Sequence, residues 1–285
     1  MFENKDKSKG FSNKRIFDFN GKRMDFTRPV VMGILNLTPD SFYEGSRTSH
    51  GDVMQIAHQM LTEGAAIIDL GAVSTRPGAA EVKADEEKRR LLPALRAIRQ
   101  NYPGIIISVD TYRAEVAAAA AAEGADMIND ISGGTFDPGM VPTIIRLDIP
   151  YIIMHIQGTP WNMQVNPVYD NVTEEVFGFL QVQARKLEER GHHKIILDPG
   201  FGFGKTVEHN YTLLNNLDQL AATGYPVLAG MSRKSMINRV LGTKPEEALN
   251  GTTVLNTVAL LKGAAILRVH DVKEAVEAVK LVSAF

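Results

Sequence analysis

VVMGILN (30–36) runs for six residues without a polar side chain and stops on an asparagine. An apolar run of that length without alternation suits a strand buried on both faces, the situation of strands in a parallel sheet covered by helices. The layout recurs seven times, in AAIIDLGAVSTR (65–76), IIISVD (105–110), DMIND (126–130), YIIMH (151–155), KIILD (194–198), VLAGMSRK (227–234) and AAILRVH (264–270). Each run leads into a polar residue or short polar motif: Asn36, Asp69 and the Ser74-Thr75-Arg76 stretch, Asp110, Asn129-Asp130, His155, Asp198, Ser232-Arg233-Lys234 and Arg268-Val269-His270. Parallel strands would gather these polar ends on one rim.

Segments with helical spacing or composition separate the runs. They are Asp52 to Glu63, Asp85 to Gln100, Tyr112 to Glu123, Pro138 to Arg146, Val172 to Arg190, Val207 to Leu220, Ser235 to Leu261 with a break near Gly242-Thr243-Lys244-Pro245, and Val272 to Val282. The alanine run of 117–122 (AAAAAA) reads as helix, since alanine is the best helix former and packs closely on a sheet. Eight strand-helix units in one chain predict an α/β fold of the (β/α)8 TIM-barrel class, with active-site residues at the C-terminal strand ends. A doubly wound open sheet is the structural alternative. Ahead of the first unit, alternating apolar residues flank Asn20-Gly21 in IFDFNGKRMDF (16–26), a hairpin signal, and the hairpin is expected to cap the bottom of the barrel. Residues 1–14 carry too little apolar content to pack and are expected to form a mobile tail, leaving 15–285 as one domain.

Composition narrows the function. At 285 residues the chain suits one barrel of roughly 250 residues with a short extension. A formal charge of −2 offers no basic face for nucleic acid or an anionic membrane. With no cysteine there are no disulfides or thiolate metal sites, which fits a reducing, cytoplasmic setting. The start of the chain, MFENKDKSKGFSNKR, lacks the apolar core of a signal peptide, and no apolar run nears the ~20 residues of a membrane helix.

Two apparent motifs mislead. GFGFGKT (200–206) ends like a phosphate loop, but the Walker pattern needs glycine at the position of Pro199. As G-x-G-x-G it is also incomplete as a dinucleotide fingerprint, and no acidic residue is placed for a ribose. Its glycines suit close approach of the backbone to a flat ligand on which Phe203 could stack.

Taken together, MGILNLTPDSF (32–42), STRPGA (74–79), SVDTYRAEVA (108–117), INDISGG (128–134), MHIQGTPWNMQ (154–164), DPGFGFGKT (198–206), SRKS (232–235) and RVHDV (268–272) closely resemble dihydropteroate synthase. The resemblance runs from about Val30 to the last helix. It implies a transferase that joins 4-aminobenzoate to 6-hydroxymethyl-7,8-dihydropterin diphosphate, releasing pyrophosphate and forming 7,8-dihydropteroate for folate synthesis. Asp110, Asn129, Asp198 and Lys234 match the family's pterin-reading positions, with Met154 and Phe203 beside the ring. The donor and acceptor edge of a pterin suits buried carboxylates and amides much as a base edge suits side chains. Asn36, Thr75, Arg268 and His270 match the diphosphate positions, and Asn36 the residue associated with Mg2+. A hard cation of that kind bridges phosphate oxygens and keeps its waters, so it is expected to arrive with substrate. Phe42, Thr75, Arg76, Pro77, Phe203, Lys234 and Ser235 match the 4-aminobenzoate positions. Catalysis is assigned to Asp110, Asp198 and Lys234, through loss of pyrophosphate to a delocalised pterin cation that a preformed negative charge would stabilise. The family usually forms homodimers.

Each residue also has a plainer reading. A strand-end aspartate can cap the next helix, an asparagine can hold a turn, and His270-Asp271 can be a cap alone. The sequence departs from the common family pattern at Gly71-Ala72-Val73, where many members have Gly-Gly-Glu, and at Glu44-Gly45-Ser46, where Asp-Gly-Gly is usual. Both changes bear on loop closure and on sensitivity to aminobenzoate mimics such as sulfonamides. A pterin-dependent methyltransferase on a related barrel is the runner-up activity, and a non-catalytic pterin-binding scaffold the alternative of another class. The first would not need the Ser-Thr-Arg-Pro, Ser-Arg-Lys-Ser and Arg-Val-His motifs, and the second would not need to keep Asn36, Asp110, Lys234, Arg268 and His270.

Overall fold

A computed structural model describes residues 14–37, 50–74 and 82–285. Phe42, Thr75, Arg76, Pro77 and residues 1–13 of the expected tail lie outside these residues; Lys14, expected to be mobile with them, is instead paired with Glu188 at 2.7 Å and lies over the Tyr225 ring. Among the described residues, β1 (Ile16–Phe19) and β2 (Lys22–Asp25) form the expected antiparallel hairpin. Both turn residues have positive φ, 48° at Asn20 and 70° at Gly21, the geometry that favours Asn-Gly in a two-residue loop.

Eight parallel strands follow: β3 (Val30–Asn36), β4 (Ile67–Gly71), β5 (Ile106–Asp110), β6 (Met127–Asp130), β7 (Tyr151–Met154), β8 (Ile195–Asp198), β9 (Leu228–Ala229) and β10 (Ile266–Val269). Their order is β8-β7-β6-β5-β4-β3-β10-β9, and a parallel bridge from Leu197 to Val227 joins the two ends. The sheet is therefore the expected barrel, with its thinnest seam between β8 and the two-residue β9. The helices around it are α1 (His50–Glu63), α2 (Ala84–Asn101), α3 (Ala114–Ala122), α4 (Met140–Leu147), α5 (Val172–Glu188), α6 (Val207–Asn215), α7 (Leu217–Ala221), α8 (Ser235–Leu241), α9 (Leu249–Leu261) and α10 (Val272–Val282). The expected helix 207–220 is two helices. Asn216 lies between them at φ −102° and ψ 11°, and its side chain donates to the Thr212 carbonyl. The break expected after Leu241 is real: Gly242 takes the left-handed conformation and a 3-10 turn, Pro245–Glu247, precedes α9.

One residue from each strand fills the lower barrel: Met32, Ile67, Ile106, Met127, Ile152, Ile196, Leu228 and Ile266. Phe17, Phe19, Met24 and Phe26 close this layer from beneath, with Phe17 and Phe26 edge to face at 5.3 Å. Lys22 ties the hairpin to the barrel through Asp126 at 2.8 Å and the Ile105 carbonyl at 2.9 Å. A second, larger core packs the outward strand residues, among them Ile68, Ile107, Ile153 and Leu267, against the helices. No helix among the described residues is long and apolar enough to cross a membrane.

Candidate active site

Strand side chains alternate between faces. Counting two residues on from the apolar layer therefore gives the next inward layer: Asp69 from Ile67, Ser108 from Ile106, Asn129 from Met127, Met154 from Ile152, Asp198 from Ile196, Gly230 from Leu228 and Arg268 from Ile266. Two more give Gly71 and Asp110, with Asn36 level with Gly71 by register. Glycine geometry agrees with this count. A Cβ on Gly71 would lie 3.5 Å from Asn36 Oδ1 and 3.9 Å from Asp110 Oδ2, and one on Gly230 would lie 3.9 Å from both Arg268 Cβ and Lys234 Nζ.

Arg268 is the hub of this floor. Its Nε donates to Asp69 Oδ2 at 2.6 Å and its Nη2 to Asp110 Oδ2 at 2.8 Å, while Asn129 Nδ2 donates to the same Asp69 oxygen at 3.1 Å. The arginine expected at the diphosphate is thus joined to a carboxylate expected at the pterin. Asp69, wholly buried, was visible in the sequence only as one more strand aspartate. Its inward parity with Asn129 and Arg268 is the signal that marks it.

Across the barrel, Asp198 accepts from the Gly200 N–H at 2.7 Å. Lys234 Nζ donates to the Phe201 carbonyl at 2.5 Å and lies 4.7 Å from the centre of the Phe203 ring, a cation–π contact. At the rim, His270 is exposed; its Nδ1 is 3.1 Å from Ser232 Oγ, which also accepts the His270 N–H. Arg233, left-handed at φ 57°, turns from the floor and grips Asp271 through Nε at 2.9 Å and Nη2 at 2.6 Å. That clamp binds the loop after β9 to the loop after β10, so Lys234 and His270 keep a common frame. Ser235 is exposed at the start of α8.

Burial sets the electrostatics. It pushes the Asp110 carboxyl up to about 7 against the pull of Arg268, with Asp69 adding to the rise. It also raises Asp198, against Lys234 and the Gly200 N–H, and lowers the Lys234 ammonium to about 8. These are carboxylates and a cation short of solvent, an arrangement ready for a polar ligand.

The loop over Asp198 contains more than the sequence disclosed. Gly200, at φ 69°, passes so close to β7 that a Cβ there would lie 2.0 Å from the His155 carbonyl oxygen. Each of the next four carbonyls accepts from one side chain: Phe201 from Lys234, Gly202 from Gln164 at 2.7 Å, Phe203 from Lys205 at 2.9 Å and Gly204 from Tyr169 at 2.7 Å. His155, Gln164, Tyr169 and Lys205 lie within or near quoted motifs, but nothing in their spacing alone indicates this contact.

The sequence profile of the family described as "Pterin binding enzyme" matches residues 32–270. Dihydropteroate synthase of Escherichia coli (strain K12) is 45% identical over 267 residues, covering 93% of this chain and 94% of that protein. The chain belongs to the dihydropteroate synthase family. Two solved structures bear on the same point. Yersinia pestis dihydropteroate synthase in a sulfonamide drug complex has a TM-score of 0.89 and 42% identity, over 94% of this chain and 98% of that one. The Xanthomonas albilineans dihydropteroate synthase with 4-aminobenzoic acid has a TM-score of 0.88 and 38% identity, over 95% and 97%. As a dihydropteroate synthase family member the chain is a transferase of folate biosynthesis, and the inward polar layer is its candidate active site.

Proposed function

We propose that residues 15–285 act as one pterin-binding domain that condenses 6-hydroxymethyl-7,8-dihydropterin diphosphate with 4-aminobenzoate, and that pyrophosphate leaves before the amine attacks. The observation that carries this reading is the cluster formed by Asp69, Asn129, Asp198 and Arg268 in one inward layer of the barrel, Asp110 in the next, and Lys234 reaching in from the loop after β9. It combines acceptors and donors for the edge of a pterin with negative charge beneath it. The bond from the exocyclic carbon to the diphosphate oxygen breaks with its electron pair going to pyrophosphate. Positive charge is left on the dihydropterin ring. The aniline nitrogen then forms the new C–N bond and gives up a proton to solvent. Asp110 and Asp198 stabilise the developing cation, and Lys234 holds the pterin while facing Phe203.

Arg268 and His270 receive the diphosphate together with Asn36 and Thr75. A hydrated Mg2+ suits Asn36, because a single amide oxygen beside Asp110 is the sparse protein share such a cation takes when phosphate oxygens supply the rest. When bound it supplies charge neutralisation to the leaving diphosphate. Phe42, Thr75, Arg76, Pro77, Phe203, Lys234 and Ser235 receive 4-aminobenzoate, and a sulfonamide would compete there. Exposed Val240, Leu241, Val254, Leu261 and Leu281 on α8, α9 and α10 support a homodimer, and the chain acts in the cytoplasm without membrane or nucleic acid.

Pyrophosphate and dihydropteroate are measured with and without 4-aminobenzoate. One dihydropteroate per pyrophosphate with both substrates, and a slower release from the pterin diphosphate alone, is the expected result. Pyrophosphate release only after amine addition would overturn the order of steps, and none at all would favour a scaffold.

A further inference from the structure

Lys205 is 3% exposed, and its ammonium has three acceptors for its three protons: His155 Nδ1 at 3.0 Å, the His155 carbonyl at 3.3 Å and the Phe203 carbonyl at 2.9 Å. Among the described residues no carboxylate comes within ion-pairing distance of it. Burial lowers the Lys205 ammonium to about 7 against the pull of Asp198, and while it is protonated it has no lone pair, so His155 Nδ1 is then the unprotonated nitrogen. This agrees with the His155 imidazole being driven down to about 3 by burial and by Lys205. A buried cation costs several kcal/mol, and neutral groups could hold a loop carbonyl more cheaply. Gln164 and Tyr169 do so at the two flanking carbonyls.

Phe203 is gripped from both ends. Lys205 holds its carbonyl from beneath, and Lys234 lies over its ring. Glycines on either side, with φ of 83° at Gly202 and 61° at Gly204, let the chain turn sharply into and out of this residue. The loop has few other means of setting the ring's height above the pterin floor.

We propose that Lys205 is a positioning residue for the transfer reaction, holding the Phe203 main chain against His155 and thereby setting where the Phe203 ring stands over the two substrates. The proposal rests on the synthase reading above. Lys205 itself touches no substrate in this scheme; its effect passes through Phe203.

A double-mutant cycle of Lys205→Met and Phe203→Ala tests it, with CD and thermal melts recorded for every variant. Wild-type turnover, measured first, tests the synthase reading independently. With Phe203 present, Lys205→Met should lower kcat/KM for 4-aminobenzoate by about 10- to 100-fold, the cost of a misplacement of about 1 Å. In the Phe203→Ala background the same change should cost less than about threefold, because the ring through which Lys205 acts is gone. Losses that multiply independently would make Lys205 a structural anchor only, and a wild-type-like Lys205→Met would remove any role. If Lys205→Met does not fold, Lys205→Arg replaces it in the same cycle. Arginine keeps a cation but not a point donor, so the same coupling with Phe203 is expected, and its absence overturns the proposal.

Discussion

Asp110 answers to two demands, since it accepts a hydrogen bond from Arg268 and must carry negative charge when a pterin cation forms. Its raised pKa means that below about pH 7 it is protonated and that charge is absent; above, the charge is present. We therefore expect kcat/KM to rise with pH through this region on its account, and Asp110→Asn to lose that limb. At saturating substrate the variant should release pyrophosphate about 10²-fold more slowly in single-turnover measurements, roughly 3 kcal/mol in the barrier, with only a modest loss of pterin affinity. Normal release would transfer the role to Asp198. Arg268→Ala should weaken pyrophosphate binding most, but calorimetry with a phosphate-free pterin should also register a loss. The change strips Asp69 and Asp110 of their shared partner, an effect that the Arg-Val-His motif alone did not foretell. His192 sets an acid limit. Burial lowers it to about 4 even with Asp148 at 3.9 Å, so it folds neutral while the unfolded chain takes up a proton near 6.5. Stability from this group is present above 6.5 and is lost as pH falls toward 4, about 2 kcal/mol between pH 7 and pH 5. Urea melts of His192→Leu at the two pH values should show that much less acid sensitivity than the wild type.

At the scale of elements, the eight runs and their polar ends were legible because a strand buried on both faces admits so few polar residues. Which strand residues share the site was legible in principle from parity, and Asp69 is the case where the parity was there to count. The crossing of the 200–204 loop over β7 was not legible. It depends on a main-chain approach between segments some 45 residues apart, and side chains do not encode it directly. Only the glycines at 200 and 204 hint at it, and their reason is steric: an added Cβ would meet the His155 or the Gln157 carbonyl. Gly200→Ala would drive a methyl group into the His155 carbonyl in a left-handed conformation, and should cost at least about 3 kcal/mol in thermal or denaturant melts. Gly104→Ala, with open space around the added carbon, serves as the comparison and should change little. Similar melts for the two would mean that the loop can lift from β7. The split of the 207–220 helix at Asn216 escaped the periodicity for a simpler reason: apolar Leu213, Leu214, Leu217 and Leu220 continue the helical spacing across the break.

For the whole molecule, exposed Val254 and Leu261 lie two turns apart on one face of α9, beside the exposed ends of α8 and α10. If this face joins two copies, Val254→Arg with Leu261→Arg should halve the mass in sedimentation equilibrium without changing the melt of a dilute sample; an unchanged mass would move the contact elsewhere. The barrel closes at its weakest between β8 and β9, where a lone bridge replaces a ladder and Lys234 reaches over to the Phe201 carbonyl. Asp198 belongs to one bank of that gap and Lys234 to the other. A pterin held by both would act as a rivet across an open hoop, so deuterium uptake at Leu197, Leu228 and Ala229 should slow on ligand binding more than at the well-laddered β4 and β5, and the substrate would complete the architecture of its own enzyme.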